Sequence, residues 1–167
     1  MRGRLRDRST RGIVGVTELD IDYRMGTVGL KQLREHLEAC DGDFHPRLSE
    51  RVDLAVYSGK ISERAMTFEA WAGNDLVGLV AVYLNDPDRC SGYISCVSTL
   101  RRHAGRGIAG RLLDMCLASA KGKGFREISL EVHAGNGRAI ELYRRAGFED
   151  LDRHGAFLSM KLEMSQR

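Results

Sequence analysis

Between residues 93 and 148 the hydrophobic period of the chain switches from two to about 3.6 and back again, and then repeats the switch. Residues 93–99, Tyr-Ile-Ser-Cys-Val-Ser-Thr, read as a strand. A glycine-rich turn at 104–110 follows and opens a helix running to about residue 120. Along that helix Ile108, Leu112, Leu113, Cys116, Leu117 and Ala120 form one apolar stripe. Gly122 and Gly124 stop it, in the manner of a left-handed cap. Residues 126–133 alternate cleanly, with Ile128, Leu130 and Val132 on one face and Ser129, Glu131 and His133 on the other. A second helix is expected over 136–146, closed by Gly147. Amphipathic strands and helices in this succession must bury their apolar sides against one another, which predicts a sheet with helices laid upon it.

The rest of the chain extends that pattern. A first strand is expected at 13–19 and a helix at 30–39, where Leu30, Leu33 and Leu37 share a face. A second helix is expected over 49–64 with Ser49 as its N-cap. Residues 65–72 and 76–84 flank Gly73-Asn74-Asp75 and read as a hairpin, 85–90 as a loop, and 157–162 as a final strand. The fold class expected is α/β (α+β): a mixed central sheet with helices on both faces.

The length of 167 residues suits one domain, placed at 13–167. Residues 1–12, with Arg2, Arg4, Arg6, Arg8 and Arg11, read as a flexible arm. A net charge of +3 is too small to call for a nucleic-acid partner. No apolar run approaches the roughly 20 residues of a membrane span, and no signal-peptide core opens the chain, so a cytoplasmic location is expected. The four cysteines form no C-x-x-C pair and the five histidines show no metal-site spacing, so no metal is expected.

The turn Gly105-Arg106-Gly107-Ile108-Ala109-Gly110 lies after a strand and before a helix. Small residues let a ligand approach the backbone, and a helix start offers bare N–H groups and a partial positive charge to a phosphate. Taken alone, the turn serves equally as a close-packing device. It lacks the Lys and Ser/Thr of a P-loop, since Gly107 is followed by Ile108. It matches G-x-G-x-x-G literally, yet it lies late in the chain, after antiparallel strands, with no further βαβ units.

A second pattern decides between these readings: Asn136-Gly-Arg-Ala-Ile-Glu-Leu-Tyr143-Arg-Arg-Ala-Gly-Phe148. With Ile94-Ser95-Cys96-Val97-Ser98 and the glycine-rich turn at its proper distance, it resembles the GCN5-related N-acetyltransferase (GNAT) superfamily over roughly residues 66–162. The resemblance implies acetyl-CoA as cosubstrate and direct attack of an acceptor amine on the thioester. It implies that backbone groups of Val97 and Ser98 hold the pantetheine and polarise the carbonyl. Residues Gly105, Arg106, Gly107, Ile108, Ala109 and Gly110 would hold the pyrophosphate, and Asn136 the coenzyme arm or its own helix start. The family's turn begins with Gln or Arg where this chain has Ala104, and an aromatic and a proline precede it where this chain has His103 and Arg101. Arg101, Arg102 or Arg106 would then take over the role of that Gln or Arg side chain.

Two side chains carry the proton transfers in this reading. Tyr143 is the acid for the departing thiolate, or a core tyrosine; Glu131 is the base, working through a water from a partly buried position, or a solvated strand residue. Glu69 is a competing carboxylate. Cys96 has nothing basic beside it in the sequence and is read as a core residue, not a nucleophile. A small-molecule or amino-sugar amine is the favoured acceptor. A peptide acceptor and a non-catalytic acyl-CoA sensor remain open, and the resemblance leaves a homodimer possible, since family members often pair.

Overall fold

The computed structural model describes residues 20–164. The arginine-rich start and the strand expected at 13–19 lie outside the described residues. A seven-stranded mixed sheet has the order β1-β2-β3-β4-β5-β7-β6. Its strands are β1 (Ile21–Met25), β2 (Met66–Ala72), β3 (Asp75–Tyr83), β4 (Ser91–Thr99), β5 (Glu127–His133), β6 (Glu149–His154) and β7 (Phe157–Glu163). Every neighbouring pair is antiparallel except β4 and β5. That parallel pair is joined by a crossover helix, as parallel strands require.

Helices cover both faces. On one face lies α4 (Ile108–Gly122), which buries Ile108, Leu112, Leu113, Cys116 and Ala120, the stripe read from the sequence without its more exposed Leu117. α5 (Gly137–Arg145) adds Ile140 and Tyr143 to the same core, against Phe68, Val80, Ile128 and Leu130 of the sheet. On the other face Leu33 and Leu37 of α1 (Leu30–Cys40) and Ile61 of α3 (Leu54–Arg64) pack on Leu79, Ala81 and Cys96. Each fully buried Leu or Ile contributes on the order of 1.5–3 kcal/mol. The face on which a helix sits is therefore fixed by which strand residues are apolar there.

Two local expectations are corrected. The helix expected over 49–64 is broken into α2 (Leu48–Arg51) and α3, and Ser49 caps neither. Its N–H and hydroxyl are both held by the Asp41 carboxylate, while Asp53 accepts from the Val56 amide at 3.0 Å and starts α3. Strand β6 went unread because all six of its residues, Glu-Asp-Leu-Asp-Arg-His, are exposed. An edge strand without an apolar face has no alternation to detect.

One carboxylate seats α1. Glu69 on β2 is wholly buried and accepts four hydrogen bonds, from the Thr27 amide (2.8 Å), Thr27 Oγ1 (2.5 Å), Thr67 Oγ1 (2.7 Å) and Trp71 Nε1 (3.0 Å). It fixes the segment between β1 and α1, and so fixes where α1 begins.

Candidate active site

The pairing of β4 with β5 runs from Ser91↔Glu127 to Ile94↔Leu130 and stops there. Beyond it β4 continues along β3 to Thr99, and β5 continues along β7 to His133. Among the described residues the edge of β4 that faces β5 therefore has no strand partner past Ile94. The break coincides with a bulge: Ala81 faces Cys96 and Val82 faces Ile94, so Ser95 is an extra residue. The bulge reverses the side-chain parity of β4. Ile94 belongs to the α4 core and Cys96, two residues on, to the α1–α3 core. Tyr57 of α3 pins the bulge, its hydroxyl donating to the Ser95 carbonyl at 3.0 Å and lying 2.7 Å from Ser95 Oγ.

A cavity of about 740 Å³ opens at this gap and is lined from both faces of the sheet. Its first half holds the glycine-rich turn. Gly105 and Gly107 have φ of +76° and +77°, a conformation costly for other residues, and Gly107 has nothing within 4 Å of the position of a Cβ. Among the described residues the backbone amides from Gly105 to Gly110 donate to nothing; the first amide of the region with an acceptor is that of Arg111, on the Gly107 carbonyl at 3.1 Å. A run of unpaired N–H groups at a helix start, with open space in front, suits an anion such as a diphosphate. Arg138 adds charge, its guanidinium 3.7 Å from the position of a Cβ on Gly105. Of the arginines expected to compensate for Ala104, Arg101 is paired with Asp43 at 2.6 Å and Arg102 lies 3.8 Å from Asp75. Arg106 does not line the cavity, whereas Gly105, Gly107, Ile108, Ala109 and Gly110 do.

Asn136 caps α5, its Oδ1 accepting from the Ala139 amide at 3.2 Å, and also lines the cavity. Tyr143 is 6% exposed and lines the cavity from the α4–α5 side. Burial, with the nearby Cys96 adding, pushes its phenol above the ordinary range, so it stays protonated. Its hydroxyl has no hydrogen-bond partner among the described residues. Val97 and Ser98 line the gap. The Ser98 side chain points away from the turn, toward α1, where it meets His36 Nε2 at 2.8 Å. His36 Nδ1 faces the Leu76 carbonyl at 2.9 Å and so carries the proton. Burial holds this histidine below its ordinary pKa despite that carbonyl, and the neutral ring accepts from Ser98.

The second half of the cavity lies on the α1–α3 side. Glu131 lines it and is exposed, the solvated of the two positions left open for it by the sequence. Glu69 does not line it; its four donors hold it elsewhere. Cys96 is buried, its thiol pushed up to about 11 by burial, which keeps it from acting as a thiolate at neutral pH. Phe44, Arg51, Tyr57, Tyr93 and Phe157 also line the cavity. Sequence reasoning gave none of these five a role. Arg51 was hidden inside an expected helix, and Tyr57 carries a signal only once the Ser95 bulge is known. His103, at the position of the family's aromatic, is 3% exposed and has no partner for either ring nitrogen among the described residues.

Among the described residues no cluster of His, Cys, Asp and Glu could hold a metal ion, and no helix is long and apolar enough to cross a membrane. The chain is 30% identical over 84 residues to N-alpha-acetyltransferase MAK3 of Arabidopsis thaliana, a match covering 50% of this chain and 44% of that protein. It thus spans less than half the length of this curated relative. The fold is similar to that of the paia N-acetyltransferase of Thermoplasma acidophilum in complex with coenzyme A (TM-score 0.70, 16% identity, 87% of this chain and 99% of that one). It is also similar to a chain of the NatC complex bound to Gag peptide and CoA (TM-score 0.67, 20% identity, 87% and 99%). The Acetyltransferase (GNAT) family profile matches residues 30–148, well over half of the sequence, and the chain belongs to that family.

Proposed function

We propose that this chain transfers an acetyl group from acetyl-CoA to the α-amino group of a peptide, by direct attack. The observation that carries the reading is the meeting, in one cavity, of an anion-binding helix start and an unpaired strand edge. The amides from Gly105 to Gly110, with Arg138, hold the diphosphate, and Asn136 is close enough to steady the arm. The free edge of β4 around Val97 and Ser98 pairs with the amide-bearing pantetheine as a strand would. The same edge directs an N–H at the carbonyl oxygen as negative charge develops there. Tyr143, held protonated, delivers its proton to the departing sulfur. Glu131, on the opposite side of the gap, receives the proton of the incoming amine through a water. In this reading residues 13–167 act as one catalytic domain.

An α-amine supports this assignment on chemical grounds. Its pKa of about 7.7–8.0 leaves a good fraction neutral near pH 7.5, whereas a lysine amine near 10.4 is almost wholly charged. Of the relatives named above, MAK3 is by its name an N-alpha-acetyltransferase and the NatC complex was solved with a peptide, and nothing among them favours the amino-sugar acceptor expected from the sequence. The test is release of free thiol from acetyl-CoA with a panel of amidated peptides, free lysine and amino sugars. Turnover on peptides is expected. Coenzyme A binding without turnover on any amine contradicts the reading and leaves a sensor.

A further inference from the structure

The acceptor side of the cavity carries two fixed charges of opposite sign. Glu131 stands on β5. Arg51 ends α2 and lines the same cavity. The Arg51 guanidinium lies 4.3 Å from the centroid of the Phe157 ring. Phe157 is the cross-strand neighbour of His133, which meets it edge-on at 5.7 Å, and Glu131 is two residues back along the same strand face. Arg51 therefore stands above the β5–β7 ladder, on the face that carries Glu131. Tyr93 feels both groups: beyond the effect of burial, Glu131 pushes its phenol up and Arg51 pulls it down.

The other charged side chains of the cavity stand apart from this pair or are paired with one another. Glu141 is paired with Arg145 at 2.5 Å, and Arg138 sits against Gly105 on the coenzyme side. Arg51 makes no ion pair among the described residues. A guanidinium resting on an aromatic ring keeps its N–H fork directed outward, in the shape that receives a carboxylate in two hydrogen bonds. An acceptor amine placed at Glu131 brings its neighbouring groups toward that fork.

On the acetyl-transfer reading, we propose that Arg51 receives a carboxylate of the acceptor, so that preferred acceptors are peptides with Asp or Glu at the first or second position. The fork and Glu131 together then recognise a positive amine with a negative group close by. A peptide bearing Lys in that place meets Arg51 with like charge and is disfavoured.

The test uses the full chain, saturating acetyl-CoA and C-terminally amidated peptides that differ only in their first or second residue: Glu, Gln or Lys. The kcat/KM for the Glu peptide is expected to exceed that for Gln by about tenfold, the worth of one charge-assisted contact in a half-open site. Lys is expected to be lowest. Arg51→Gln should flatten the series, and Arg51→Glu should invert it. Arg51→Lys, which keeps charge and loses the fork, should fall between. Thermal unfolding with and without coenzyme A shows that each variant folds. Equal kcat/KM across the wild-type series, or an Arg51→Glu variant that still prefers Glu, overturns the assignment while acetyl transfer stands. Coenzyme A binding with no acetylation of any peptide overturns both.

Discussion

Replacing Glu69 by Gln exchanges one carboxylate oxygen for an NH₂ group in a place where every neighbour is a donor. Oε1 accepts from Thr27 Oγ1 and Trp71 Nε1; Oε2 accepts from the Thr27 amide and Thr67 Oγ1. Whichever oxygen is replaced, one of its partners is a hydroxyl, which can rotate and accept instead. The other is an N–H, which cannot. Glu69→Gln thus leaves one buried donor without an acceptor and weakens the surviving bonds by removing their charge. An orphaned buried donor costs roughly 1–3 kcal/mol and the absence of charge assistance about 1 more, giving a destabilisation of about 2–4 kcal/mol. Urea unfolding at pH 7 should show a lower midpoint with an unchanged slope. The pH dependence is a second check. Burial pushes the Glu69 carboxyl up, but the bonds from Thr27, Thr67 and Trp71 outweigh it and hold the carboxyl below its ordinary value. Its contribution is therefore fully present above the unfolded pKa of about 4.3 and is lost as pH falls through the folded value. The gap between wild type and variant should narrow as pH falls through that lowered folded value. A variant within ~0.5 kcal/mol of wild type, or a gap that is the same at pH 7 and in acid, refutes the reasoning.

Gly78→Ala should destabilise the protein and weaken coenzyme A binding together. The added Cβ would lie 2.7 Å from Ile108 Cγ2, 3.1 Å from Leu112 Cδ1 and 3.2 Å from Ala70 Cβ, so the first turn of α4 must lift from the sheet. Overpacking of this kind costs about 1–3 kcal/mol, read by thermal unfolding and by coenzyme A titration of the same sample. Tyr143→Phe should lower kcat by roughly 10²-fold, the lower end for a general acid, with coenzyme A affinity unchanged. Because the Tyr143 hydroxyl has no partner among the described residues, the variant should melt close to wild type; an unchanged kcat removes the acid role.

The glycine-rich half of the cavity was legible because its signals are local. A glycine at positive φ, a helix start and the Asn136 cap each leave a mark within a few residues of sequence, and so does the pattern from Asn136 to Phe148 that holds Tyr143. The half of the cavity on the α1–α3 side was not, because it depends on contacts between distant segments. Nothing in Tyr-Ile-Ser-Cys-Val-Ser reveals that Ser95 is an extra residue opposite Ala81 and Val82, and the bulge is what sends Cys96 and Ser98 toward α1. Ser49 and Asp53 are both good caps by type. The choice between them was made by Asp41, which holds Ser49 from eight residues away. Once the helix breaks there, Arg51 is freed to reach Phe157, more than a hundred residues later in the chain. Strand β6, wholly exposed, is read only from its ladder with β7.

The central claim is that the backbone amides from Gly105 to Gly110 are the diphosphate grip. Titration of ¹⁵N-labelled protein with coenzyme A, followed amide by amide, tests it directly. The N–H signals of Gly105, Gly107, Ile108, Ala109 and Gly110 are expected to move furthest and to saturate together. Coenzyme A that leaves these signals in place, whether it binds elsewhere or not at all, contradicts it.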